Sequence, residues 1–195
     1  MNDYLIDTRS AVQGILKLIN REETMLEKKK GAFASMDDAS RNVFEYMQQN
    51  RADSTLLIEL DGFETAKDRI DSKIDNLHRL IANLQPTYRT LAGALLQIAK
   101  QGISMRHGGL SSCPDGRIVG STEPLKNVIW QARNQSVHYE EGKYHKSVVD
   151  CFSNLASDFG PRFALGSKNL ALDVIEILGW RSYRTYETDM TTLLQ

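Results

Sequence analysis

The sequence predicts an all-α protein, a helical bundle led by a long N-terminal helical hairpin. Three observations carry this. Apolar residues recur at three-four spacing through most of the chain, a regular a/d seam runs over residues 56 to 84, and no segment alternates apolar and polar residues in the period of two that a strand requires. At 195 residues, 41% apolar and 25% charged, the chain can bury one core, so a single domain over 1–195 is expected.

The first helix is predicted over residues 1–53. Leu5, Val12, Leu16, Ile19, Leu26, Phe33, Met36, Val43 and Met47 form its stripe, with Gly31 as a place where it could bend. Bundle helices follow over 54–101. Ser54 is a candidate N-cap, and Leu56, Leu60, Phe63, Ile70, Ile74, Leu77, Ile81 and Leu84 keep a/d spacing, broken by Lys67. Gly62 sits inside that seam at a cost of about 1 kcal/mol relative to Ala, which packing can absorb. Pro86 should end the run, and a shorter helix is expected through Leu91, Leu95 and Ile98 to Gly102.

Residues 102–121, rich in Gly, Ser, Pro and Asp, are expected to form a long loop, either functional or disordered. Residues 122–180 carry the remaining helices. One begins near Thr122 with Glu123 and Pro124 in its first turn and an apolar face of Leu125, Val128, Ile129 and Ala132. After Gly142 a second carries Val148, Phe152, Leu155 and Phe159 and stops at Gly160-Pro161. A third, capped by Ser167, carries Leu170, Val174, Ile177 and Leu178 and closes at Gly179, leaving 181–195 as a tail.

Charge and cysteine usage narrow the function classes. A formal charge of -1 and a pI near 6.4 disfavour bulk DNA binding, so any nucleic-acid contact must be local. Cys113 lies beside Pro114 and Cys151 in an apolar run, which argues against a structural disulfide. With neither a signal-like N-terminus nor a run of about 18 to 20 apolar residues, a cytoplasmic protein with no membrane contact is expected.

The chemistry concentrates in "QARNQSVHYEEGKYH", residues 131–145. Three of the four histidines, His107, His138 and His145, fall between residues 103 and 146, where six Lys or Arg face four Asp or Glu. Asn134 and His138, four apart, share a helix face, whereas Arg133 and His138, five apart, lie about 140° from each other on an ideal helix. Arg133 must therefore reach around, or the helix must loosen before His138. A histidine can exchange a proton near neutral pH, and an arginine fork suits phosphate oxygens. Together they can drive attack of an RNA 2′-OH on its own phosphodiester without a metal.

Plainer uses of the same residues are available. Arg133 and His138 could neutralise a helix C-terminus, Glu140 and Glu141 could pair with them, and Glu141 could pair with His145 four residues on. His107, Cys113, His138 and Cys151 lack the paired spacing of a zinc site, so neither a metal nor any other cofactor is expected. Cys151, in register beside Phe152, should be buried and inert.

The stretch "ARNQSVHYEEG" resembles the R-x4-6-H signature of HEPN domains, the nucleotide-binding domains of higher eukaryotes and prokaryotes. Arg133 and His138 match the two defining positions, and Asn134 matches a polar residue often found directly after the arginine. The match covers residues 122 to 160, and Glu140 stands where some toxin-type members carry tyrosine. The resemblance implies a HEPN-like bundle acting as a metal-independent endoribonuclease, a homodimer whose motifs face a shared cleft, often a toxin or phage-defence effector. It implies that Arg133 holds the scissile phosphate, that His138 transfers a proton or stabilises the leaving oxygen, and that Asn134 orients one of them. The implied partners are RNA, a second copy of the chain and an antitoxin or regulatory protein. The loop bearing Arg106, His107 and Arg117 would border the cleft. Two other readings stand: a non-catalytic module of the same fold binding nucleotide or a partner protein, and a coiled-coil adaptor built on the 56–84 seam.

Overall fold

The structure is a computed structural model that describes residues 2–50 and 57–195, without the side chains of 22, 47, 50, 57–64, 66, 81 and 83–85. The expected roles of Met47, Ser54, Leu56, Leu60, Gly62, Phe63, Ile81 and Leu84 lie outside the described residues. The described residues are mostly helical, with only a tiny two-stranded sheet, which makes the fold all-α. In order come α1 (Asp3–Asn50), α2 (Leu57–His107), β1 (Ile118–Val119), β2 (Glu123–Pro124), α3 (Leu125–His138), α4 (Lys146–Phe159), α5 (Ala171–Ile177) and α6 (Tyr183–Leu193). Short 3-10 turns at Tyr139–Glu141 and Pro161–Phe163 precede and follow α4.

The chain divides into two compact units, one formed by Met1–Arg21 with Thr87–Gln195 and the other by Glu22–Pro86. In the second unit the later part of α1 runs antiparallel to the early part of α2. Phe33 meets the His78 ring at 4.3 Å, and seven residues on Ser40 donates to Asp71 at 2.9 Å, seven residues back. Leu26 is buried there, and Phe33, Met36, Val43, Ile70, Ile74 and Leu77 are half-buried, as their spacing predicts.

The first unit holds the main core. Leu5, Val12, Leu16 and Ile19 of α1 join Ala92, Leu95, Leu96, Ala99 and Ile103 of α2 in one apolar cluster with α3, α4, α5 and α6. Each Leu, Ile or Val side chain in it contributes roughly 1.5–3 kcal/mol when withdrawn from water. The face of α3 made of Leu125, Val128, Ile129 and Ala132 is fully buried, as predicted. That burial fixes the rotation of the helix bearing the motif.

Four expectations need correction. α2 does not break at Pro86; the proline lies inside the helix. The ring removes one backbone donor, but Pro86 and Ala82, whose carbonyl loses its partner, are both exposed, so water can take that acceptor. The predicted 102–121 loop is shorter than expected, because α2 continues to His107 and Ile118–Val119 pair antiparallel with Glu123–Pro124. A ladder of two residues is too short to show any alternation. The same pairing delays α3 to Leu125, with Pro124 as its N-cap.

The third concerns α5, which begins at Ala171 rather than near Ser167. The Asn169 side-chain oxygen accepts from the Ala171 N–H at 2.9 Å, satisfying a donor that the first turn leaves open. The fourth is the tail, most of which is α6. Ser182 caps it by accepting from Thr185 N–H, and Tyr186, Met190 and Leu193 face the core.

Candidate functional site

The motif residues end α3, and the packing of its C-terminal turn decides where each one points. Gln135 is fully buried; its amide donates to Lys168 O at 2.8 Å and its oxygen accepts from Leu170 N–H at 2.9 Å. Asn169 donates back to Ser136 O at 3.2 Å. The last turn of α3 is thereby tied to the start of α5.

With α3 helical up to His138, Arg133 and His138 diverge. Arg133 turns towards α2, where its Nε donates to Gln97 Oε1 at 2.6 Å and a terminal nitrogen donates to Asn134 Oδ1 at 3.3 Å. His138 does not follow it but turns to Glu141. Its backbone leaves the α region (φ -112°, ψ 12°), and the 3-10 turn Tyr139–Glu141 begins there. Three residues per turn place positions i and i+3 over one another. Glu141 thus returns over the ring, with Oε1 2.6 Å from His138 Nδ1. A carboxylate accepts, so Nδ1 carries the hydrogen; in the neutral form of such a ring the lone pair lies at Nε2.

The expected Glu141–His145 pair does not form. It needs continuous helix, and Gly142 (φ 62°) ends the turn before the chain extends to His145, the N-cap of α4. Asn134, His138, Glu141, Lys143, Tyr144, His145 and Val148 together line a pocket of about 290 Å³. That volume lies near the lower end of the ~300–1,000 Å³ typical of small-molecule sites. Lys143 and Tyr144 are site residues that sequence reasoning missed; both lie inside the motif stretch, and only the left-handed Gly142 swings them beside His138. The Tyr144 hydroxyl donates to Gly166 O at 3.0 Å. The Tyr139 hydroxyl, bonded to Glu140, has its pKa raised by that carboxylate.

Behind the pocket, α3 carries a polar ladder on its α4 side. Asn134 donates to Gln131 Oε1 at 3.5 Å, Gln131 to Asn127 at 3.1 Å, and Asn127 to the buried Glu123 at 2.6 Å. Asn154 of α4 donates to the other oxygen of Glu123 at 2.7 Å. Asn134 is therefore held from below by the ladder and from beside by Arg133.

Arg106 and His107, which the structure puts on α2, and Arg117 serve another purpose. Arg106 donates to Gln195 O, His107 lies 2.7 Å from Leu193 O, and Arg117 grips Asp189, so all three bind the C-terminal segment and none lines the pocket. Cys113 and Cys151 are buried free thiols; burial pushes both pKa values up, and Glu123 adds to the effect at Cys151. Among the described residues no group of three or more His, Cys, Asp or Glu side chains is placed to hold a metal ion, and no helix is long and apolar enough to cross a membrane.

Comparison with protein-family models, curated proteins and solved structures gives no match at any of the three levels.

Proposed function

We propose that the protein is a metal-independent endoribonuclease of the HEPN type, built on a HEPN-like bundle. One observation carries this reading: His138 stands on a pocket wall with Nδ1 held by Glu141 at 2.6 Å, which leaves Nε2 as the nitrogen to take a proton from an RNA 2′-OH. Asn134 lines the same pocket, where it can orient the phosphate or the ring. Arg133 lies outside the pocket of its own chain, so in this reading a second copy supplies the arginine and the working site is shared across a homodimer. The biological role proposed with it is that of a cytoplasmic toxin or defence effector, held in check by an antitoxin or regulatory protein.

A second reading, a non-catalytic module that binds nucleotide or a partner protein, draws on the same Arg133. Its guanidinium is occupied by Gln97 and Asn134, as a purely structural arginine would be. Single-stranded RNA separates the two. The purified protein is expected to cleave it in excess EDTA, leaving 2′,3′-cyclic phosphate and 5′-OH ends, and His138→Ala is expected to lower the rate by about 10²- to 10⁴-fold with the helical circular-dichroism signal unchanged. Binding without cleavage by the wild type would establish the second reading, and equal cleavage by His138→Ala would remove His138 from the chemistry.

A further inference from the structure

We infer that His145 is the general acid of this site, protonating the leaving oxygen while His138 removes the proton from the nucleophile. The inference rests on the ribonuclease reading above and concerns a residue outside the R-x4-H motif. Strand cleavage needs two proton transfers. The 2′-oxygen attacks phosphorus as its proton passes to Nε2 of His138. The bond from phosphorus to the 5′-oxygen breaks as that oxygen takes a proton, giving a cyclic phosphate and a free 5′-OH. His138 alone meets half of this requirement.

The pocket's other groups can be taken in turn. Glu141 is engaged with Nδ1 of His138, the Tyr144 hydroxyl donates to Gly166 O, and Asn134 is a neutral amide. A lysine ammonium gives up its proton far less readily at neutral pH than an imidazolium does, so Lys143 serves the site by bringing positive charge to the phosphate. Lys146, next along α4, pairs with Asp150 at 2.5 Å. His145 remains: it lines the same pocket, stands at the N-cap of α4 without a side-chain capping bond, and makes no side-chain hydrogen bond or ion pair among the described residues. Histidine is also the side chain best matched to donating a proton near neutral pH. The chain separates the two residues by a 3-10 turn and a left-handed glycine and is extended at His145, so that two histidines seven residues apart line one cavity. As an imidazolium, His145 gives its proton to the 5′-oxygen; His138 ends the step protonated, and solvent returns both to their starting forms.

The test uses the full-length protein and one RNA oligonucleotide cleaved at a mapped position, in two versions. In the second, sulfur replaces the 5′-bridging oxygen at that position, because a thiolate leaves without needing a proton. His145→Gln is expected to lose about 10²- to 10⁴-fold on the oxygen substrate and to return to within about tenfold of the wild type on the sulfur substrate. His138→Ala is expected to fail on both. Unchanged cleavage of the oxygen substrate by His145→Gln, or an equal loss on both substrates, would overturn the assignment while leaving the ribonuclease reading intact. A wild type inactive on both substrates would instead remove that reading, and this inference with it.

Discussion

Oε1 of Glu141 lies 2.6 Å from Nδ1 of His138, and a single turn of 3-10 helix makes the contact. Both side chains are about half exposed or more, so the pair adds little to stability. Its consequence is orientation, since the carboxylate selects the ring form protonated at Nδ1 and leaves Nε2 outside the pair.

Glu141→Gln is therefore expected to lower RNA cleavage by on the order of tenfold, less than loss of the acid–base group itself. An amide can donate as well as accept, so the variant ring should gain the form protonated at Nε2. Long-range proton–nitrogen spectra of His138 read that population directly, without reference to activity. An unchanged tautomer population together with an unchanged rate would reduce Glu141 to a surface charge.

Asp189 holds the C-terminal helix to the preceding chain. It accepts from Arg117 Nε at 2.8 Å and Nη2 at 2.9 Å and from the Trp180 indole N–H at 2.8 Å. Asp189→Ala leaves a buried indole donor and one face of a guanidinium without an acceptor. With Asp189 mostly buried but Arg117 partly exposed, the expected loss is about 2 kcal/mol, below the 3–5 kcal/mol typical of a fully buried pair. Urea denaturation should show a lower midpoint at unchanged slope, and the RNA cleavage rate of the folded variant should stay at the wild-type level. A change in rate without a change in midpoint would contradict this structural role.

The helices that bury a wide stripe were legible from spacing alone: Leu5 through Ile19 on α1 and Leu125 through Ala132 on α3 are buried where the period puts them. α6 was missed because Thr, Arg, Glu and Asp outnumber its apolar residues; the stripe Tyr183, Tyr186, Met190 and Leu193 emerges only once the tyrosines are counted as core. Within the site, Asn134 and His138 share a face as their spacing of four requires. What spacing could not supply was Gln97, which draws Arg133 away from across 36 residues, or the choice of Glu141 between two histidines. The first is a tertiary contact. The second depends on a local change from 3.6 to three residues per turn.

The turn between β1 and β2 provides a test of local geometry and of pH dependence together. Gly120 has φ 66°, and a Cβ there would stand 2.3 Å from Asp158 Oδ2, so Gly120→Ala is expected to cost about 2 kcal/mol through left-handed strain and displacement of that carboxylate. Asp158 accepts from the Ser121 N–H at 2.8 Å and from its hydroxyl at 2.7 Å, and these bonds, the backbone one first, hold its pKa below the ordinary carboxylate range. A depressed folded-state pKa means that the contribution is present above the unfolded value and lost as pH falls through the folded one. Asp158→Asn is therefore expected to be less stable than the wild type at about pH 7, with the gap closing as the pH is lowered below about 3.9, the ordinary aspartate value. Thermal melts of the two proteins across that range would measure the gap, and a difference that stayed constant with pH would mean that the carboxylate's charge plays no part in holding the turn.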